Sequence, residues 1–228
     1  MSKRERHIEV QRSARYVTLG EVHPGLRQVW IACHGYGQLV TQFIEYFQVL
    51  NDGTRLIVAP EGLSRFYLDH ASGTIGASWM TKADRRAEIV DYVNYLDALA
   101  DRVLTDVNRE SVALRLLGFS QGAATVSRWI ERGRVRPDGV VLWAGTIPPD
   151  VDMTALRRRL DGAALEFVVG ESDHYASPEM LAEQEARLKQ HDFEYTLIRF
   201  TGGHRLDKEV LRVLGYSAAV GPRARRSR

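Results

Sequence analysis

Residues 112–122 read Val112-Ala113-Leu114-Arg115-Leu116-Leu117-Gly118-Phe119-Ser120-Gln121-Gly122, and a small-residue stretch, Ala123-Ala124-Thr125-Val126-Ser127-Arg128-Trp129-Ile130, follows. The first six residues form the apolar run of a buried strand, and the last eight suit a helix. Between them stands G-x-S-x-G in the context that gives the motif meaning: strand, sharp turn, helix. Glycines on either side of Ser120 leave room for a strained turn and for close helix–strand approach. Such a turn lifts the serine hydroxyl above a sheet with a helix N-terminus behind it. Ser120 is therefore the candidate nucleophile.

Outward from this stretch the chain alternates strands and helices. Short apolar runs at Gln28–Cys33, Thr54–Ala59, Gly139–Ala144 and Leu165–Val169 have the continuous pattern of strands covered on both faces. A last strand is expected at Glu194–Phe200, and an edge strand or hairpin within His7–Leu19. Ile89, Val93, Leu96, Ala100, Val103 and Val107 form one apolar stripe, predicting a long helix over about 82–107. Phe43, Ile44, Phe47 and Leu50 stand at helical spacing and predict a helix after the loop that follows Cys33, and Ser177 followed by Pro178 predicts a helix start. Leu63 to Met80 reads as a long irregular connection rich in aromatic residues. Strands alternating with helices imply an α/β architecture: one three-layer domain over residues 1–228 with a mostly parallel central sheet. About 1–6 and 217–228 are expected to be flexible tails.

Composition excludes several classes. A formal net charge of +2 over 228 residues leaves no electrostatic footprint for nucleic acid or for stable membrane association. Much of the positive excess sits at the two ends. The single cysteine, Cys33, cannot form an internal disulfide and reads as a buried small hydrophobe. No apolar signal region or run of membrane-spanning length is present, so a soluble, cytoplasmic protein is expected. No metal-ligand cluster, phosphate loop or dinucleotide fingerprint appears, and no cofactor is expected.

In an open parallel sheet, ligands bind beyond the carboxyl ends of the strands. Ser120, Asp173 and His204 each follow a predicted strand directly, in the order serine, acid, histidine. A serine hydroxyl is a weak nucleophile near neutrality; a histidine can take its proton and pass it to the leaving group. A carboxylate on the other imidazole nitrogen fixes the tautomer. Asp173 is the preferred acid, with Glu171 and Asp150 as alternatives. Backbone donors for the oxyanion are expected at Gln121, on the helix N-terminus, and at Tyr36, in the glycine-punctuated loop His34-Gly35-Tyr36-Gly37. Tyr36, Phe66, Tyr67, Trp79, Ile147 and Tyr175 lie in segments expected near the same edge and are candidates for an apolar substrate wall.

These motifs resemble those of the phospholipase/carboxylesterase family of α/β-hydrolases, which includes bacterial carboxylesterases and acyl-protein thioesterases. The resemblance spans roughly Trp30 to Leu214. It rests on His34-Gly35-Tyr36-Gly37, Ser78-Trp79, Gly118-Phe119-Ser120-Gln121-Gly122, Gly139-Val140-Val141-Leu142 with Gly145 and Pro148, Gly170-Glu171-Ser172-Asp173, and Gly203-His204. It implies the α/β-hydrolase fold, a Ser120–Asp173–His204 triad and oxyanion donors at Tyr36 and Gln121. Two segments depart from it: Trp79-Met80-Thr81 stands where the family has Trp-Phe-Asp, and His174-Tyr175-Ala176 where Val-Pro follows the acid. The implied activity is hydrolysis of a small-molecule ester or acylated substrate through an acyl-enzyme. Thioesterase, lysophospholipase or peptidase chemistry on the same residues, and a non-catalytic binding module on the same scaffold, are the alternatives.

Overall fold

The computed structural model describes residues 3–217; of the expected tails, residues 1–2 and 218–228 lie outside the described residues. Seven strands form one sheet in the order β1-β3-β2-β6-β7-β8-β9. They are β1 (Tyr16–Leu19), β2 (Gln28–Cys33), β3 (Arg55–Pro60), β6 (Ala113–Phe119), β7 (Gly139–Trp143), β8 (Ala164–Gly170) and β9 (Thr196–Phe200). The edge strand β1 runs antiparallel to β3, and every other pairing is parallel. Two further strands, β4 (Ser64–Asp69) and β5 (Thr74–Ser78), form a separate antiparallel hairpin.

The strands read as unbroken apolar runs because both faces of the sheet are covered. On β2, Val29, Ile31 and Cys33 enter one core, and Trp30 and Ala32 enter the other. The first core is roofed by α2 (Arg85–Leu104), α3 (Gln121–Arg132), α4 (Met153–Arg159) and α5 (Pro178–Gln190). The second lies under α1 (Val40–Phe43), the 3₁₀ segment Ile44–Leu50 and α6 (Lys208–Tyr216). The α2 stripe buries Ile89, Val93, Leu96 and Ala100 as the spacing predicts. Truncating Leu96, which has no exposed surface, to alanine costs roughly 2–5 kcal/mol. The Ser177 cap matches the sequence signal, accepting from the Met180 N–H at the start of α5; at the start of α6, Asp207 accepts from the Glu209 and Val210 N–H groups.

Two expectations are corrected. Leu63–Met80 is not irregular: Ser64–Asp69 and Thr74–Ser78 pair as a hairpin whose turn is held by Asp69 accepting from the Ala71 and Ser72 N–H groups. Most of β4 and the start of β5 are open to solvent, so no apolar alternation marks the pair. Phe43, Ile44, Phe47 and Leu50 are buried as the spacing suggests, but only four residues are α-helical before the chain tightens to 3₁₀. Of the opening stretch His7–Leu19, only Tyr16–Leu19 is a strand.

Arg115, inside the β6 run, is fully buried and pairs with Glu166 of β8. It also donates to the Leu214 carbonyl at 2.5 Å and lies 4.4 Å from the Trp30 ring centroid. Arg55 donates to the Gly215 carbonyl at 2.8 Å, so two strand arginines cap the C-terminal end of α6. Among the described residues no helix is long and apolar enough to cross a membrane.

Candidate active site

The central strand β6 delivers its chain into a tight turn at Ser120, which has φ 55° and ψ −116°. A non-glycine residue there is strained by roughly 1–3 kcal/mol. The turn is held by the Ser120 N–H donating to the Trp143 carbonyl at 2.8 Å and by the Ala123 N–H donating to the Ser120 carbonyl at 2.9 Å. The flanking glycines are required by space. A Cβ on Gly118 would stand 2.2 Å from the Gly122 carbonyl oxygen, and one on Gly122 would stand 2.1 Å from that of Cys33.

The turns after β8 and β9 bring Asp173 and His204 to the same edge. His204 Nε2 lies 2.9 Å from Ser120 Oγ. His204 Nδ1 lies 2.9 Å and 3.0 Å from the two Asp173 carboxylate oxygens. An ionised carboxylate only accepts, so Nδ1 carries the proton and Nε2 is free to accept from the serine hydroxyl. Asp173 is itself fixed: its side chain has no exposed surface, and Oδ1 accepts from the Tyr175 N–H at 2.9 Å. Neither alternative acid is in this chain of contacts. Glu171 accepts from Thr201 Oγ1 at 3.2 Å, and Asp150 is held by Arg85, Arg128 and Arg132. Partial burial pushes the Asp150 carboxyl up, but Arg128 and Arg85 outweigh it and hold the group well below its usual range.

The loop after β2 supplies the second wall. The Gly35 N–H is taken by Gln38 Oε1 at 2.8 Å and the Gly37 N–H by the Ala77 carbonyl at 2.9 Å. Neither the Tyr36 nor the Gln121 backbone N–H meets an acceptor among the described residues. Below the loop, His34 is fully buried and neutral in its bonding: Nδ1 donates to the Gly35 carbonyl at 2.7 Å, and Nε2 accepts from the Gly62 N–H at 2.9 Å. Burial lowers its pKa. Glu61 braces the same region, accepting from the Val40 N–H and pairing with Arg15 and Arg65.

The expected wall divides in two. Tyr36 and Tyr175 are 58% and 71% exposed, Tyr67 is exposed, and Phe66 is half-buried with its ring 5.1 Å from that of Tyr36. Trp79 and Ile147 are instead core residues, 2% and 1% exposed. The Trp79 indole N–H donates to the His34 carbonyl and its ring lies 5.1 Å from the His34 ring, so it supports the loop from beneath. Ile147 packs in the same core as α3 and α5.

Three contributions were not readable from the motifs. The Gln121 side chain accepts from the Trp79 N–H at 3.0 Å and donates to the Met80 carbonyl at 2.8 Å, clamping the end of the hairpin to the serine turn. Glu61 carried only the weak signal of an acid at a strand end. Phe119, beside the serine, places its ring 5.1 Å from the His204 ring. Hollows of about 430 and 420 Å³ open near the amino ends of the strands and contain none of these residues. The one trio of converging donors among the described residues, Glu5, His7 and Asp84, belongs to the N-terminal arm and the start of α2.

No family profile and no curated protein sequence matches the chain. Solved structures do. A Bacillus cereus carboxylesterase superposes with a TM-score of 0.67 at 14% identity, covering 89% of this chain and 92% of that one. A Mesorhizobium loti carboxylesterase gives 0.66 at 19% identity, covering 88% and 93%. Acyl-protein thioesterase 2 of Zea mays gives 0.64 at 16% identity, covering 89% and 98%. Identity is low, yet each superposition covers nearly the whole of both chains. The chain has the α/β-hydrolase fold, in the form shared by these carboxylesterases and the acyl-protein thioesterase.

Proposed function

We propose that the protein is a serine esterase that cleaves small-molecule carboxylic esters through an acyl-enzyme on Ser120. The observation carrying this reading is the unbroken contact from Ser120 Oγ through both nitrogens of His204 to Asp173. Two acceptor-free backbone N–H groups in the adjoining turns support it. Ser120 Oγ attacks the ester carbonyl carbon while its proton passes to His204 Nε2. The carbonyl π pair moves onto oxygen, where the Tyr36 and Gln121 amides stabilise it. As the tetrahedral centre collapses, the ester C–O bond breaks with its pair going to the leaving oxygen, which takes the proton from Nε2. Water then repeats the sequence on the acyl-enzyme, releasing the acid and restoring the serine. Asp173 holds the imidazole in register and stabilises its cation without taking the proton.

Thioesters are a second reading favoured by the thioesterase among the structural neighbours; the same steps apply with a thiol leaving. Fluorophosphonate labelling and turnover of p-nitrophenyl butyrate test the proposal. Both are expected to vanish in Ser120→Ala. Asp173→Asn is expected to lose on the order of 10⁴ in kcat, while Glu171→Gln stays near wild type. Label on any residue other than Ser120, or an Asp173→Asn enzyme of normal rate, refutes it.

A further inference from the structure

The residue after His174 in the acid turn is placed to act on the histidine as well as beside the substrate. Tyr175 touches the relay twice. Its N–H donates to Asp173 Oδ1 at 2.9 Å, and its ring centroid lies 4.7 Å from that of His204 with the planes at 59°. The imidazole thus has one aromatic neighbour from the core, the buried Phe119, and one from the solvent side, Tyr175. A tyrosine 71% exposed gains little from burial at this position, so its tilted ring contact with the imidazole calls for another account.

His204 becomes a cation in each half of the acyl-enzyme cycle, when it holds the serine or water proton. A cation held against the face of an aromatic ring, within about 6 Å of its centroid, is favoured through the ring quadrupole. The charged and titratable groups around the imidazole are few. Asp173 faces Nδ1 and Ser120 faces Nε2. Arg205, next in the chain, is drawn to Asp207 at 3.0 Å and lies over the Phe200 ring. We propose that Tyr175 is a positioning residue that holds and stabilises the His204 imidazolium while Nε2 returns its proton to the leaving group. This rests on the acyl-enzyme reading and assigns the solvent-side aromatic ring a role in that one transfer.

The transfer matters unequally for different esters. When the C–O bond breaks, p-nitrophenolate leaves with the bonding pair as a stable anion. An ethoxide must take the Nε2 proton as the pair arrives. Values of kcat/KM, which report acylation, are therefore compared for p-nitrophenyl butyrate and ethyl butyrate in wild type, Tyr175→Ala, Tyr175→Leu and Tyr175→Phe. Tyr175→Ala is expected to lower the ratio of ethyl-ester to aryl-ester kcat/KM about two- to fivefold, the range of a cation–π contact near the surface; a loss shared by both esters, from the acyl wall or from the first proton transfer to His204, cancels in that ratio. Tyr175→Phe keeps the ring and is expected to restore the ethyl-ester rate. Tyr175→Leu covers the imidazole without a π face and is expected to behave like Tyr175→Ala. Equal losses on both esters, no loss on either, or rescue by leucine as complete as by phenylalanine overturns the proposal. Ser120→Ala is assayed alongside: turnover surviving it refutes the acyl-enzyme itself, whereas its abolition lets a negative result fall on Tyr175 alone.

Discussion

Replacing Gly122 by alanine adds one methyl group to the residue two places after the candidate nucleophile. That carbon would stand 2.1 Å from the Cys33 carbonyl oxygen, 2.7 Å from the Cys33 carbonyl carbon and 2.8 Å from the His34 oxygen. All three are backbone atoms of the segment leading into the Tyr36 loop, so no side chain can swing aside. Ordinary contact begins near 3.4 Å, and the helix start and the loop must therefore separate by more than an ångström. The Gln121 and Tyr36 amides ride on those two segments. An ångström of misplacement costs on the order of 100-fold in rate, and kcat/KM for p-nitrophenyl butyrate is expected to fall by about that factor. Stability should suffer less. Overpacking costs about 1–3 kcal/mol, offset in part by the roughly 1 kcal/mol better helix propensity of alanine. Thermal unfolding and fluorophosphonate labelling rate, measured with the kinetics, separate the two effects. A variant whose melting temperature is near wild type and whose kcat/KM is within about threefold would refute the reasoning, because the two amides would then not depend on this contact.

Further outcomes follow from buried polar groups. Glu166→Ala strips Arg115 of its carboxylate inside the sheet, and urea unfolding should show a loss of about 3–5 kcal/mol. The double variant Arg115→Met/Glu166→Leu should recover most of it, since neither charge of the pair is then left buried without the other. His34 is held neutral, with a lowered pKa in the folded chain. The unfolded chain therefore binds its proton first, and the stability this residue contributes is present above the unfolded pKa, near 6.5, and lost as pH falls toward the folded value. Wild type should weaken more than His34→Gln between pH 7.5 and pH 5 in parallel urea titrations; equal slopes would refute the assignment.

Much of the arrangement of the candidate site was legible because strand ends are marked by simple physics. Ser120, Asp173 and His204 each follow an apolar run directly, and a parallel sheet carries all such positions to one edge. The hairpin was not legible. Phe66 sits opposite Gly76, and the Gly76 backbone lies so close to Gly37 that a Cβ there would meet its carbonyl oxygen at 2.5 Å. The pair is thus placed by backbone contact with the Tyr36 loop, which leaves no pattern in its own sequence. Trp79 and Ile147 are aromatic and apolar residues in connecting segments, a description that fits a ligand wall and a core plug alike. Only the Trp79 bond to the His34 carbonyl and the packing of Ile147 decide between the two. Arg115 was hidden for a related reason: one charged residue in an apolar run gives no sign of its Glu166 partner 51 positions away.

The positive φ of Ser120 makes inert controls unequal. Alanine removes the hydroxyl and keeps the strained backbone, since its Cβ suffers as the serine's does; glycine removes both. Ser120→Gly should therefore be the more stable of two equally inactive proteins, by up to about 1–3 kcal/mol, less the entropy that glycine gives the unfolded chain. The difference in unfolding free energy between the two variants weighs what the fold gives up to present that hydroxyl.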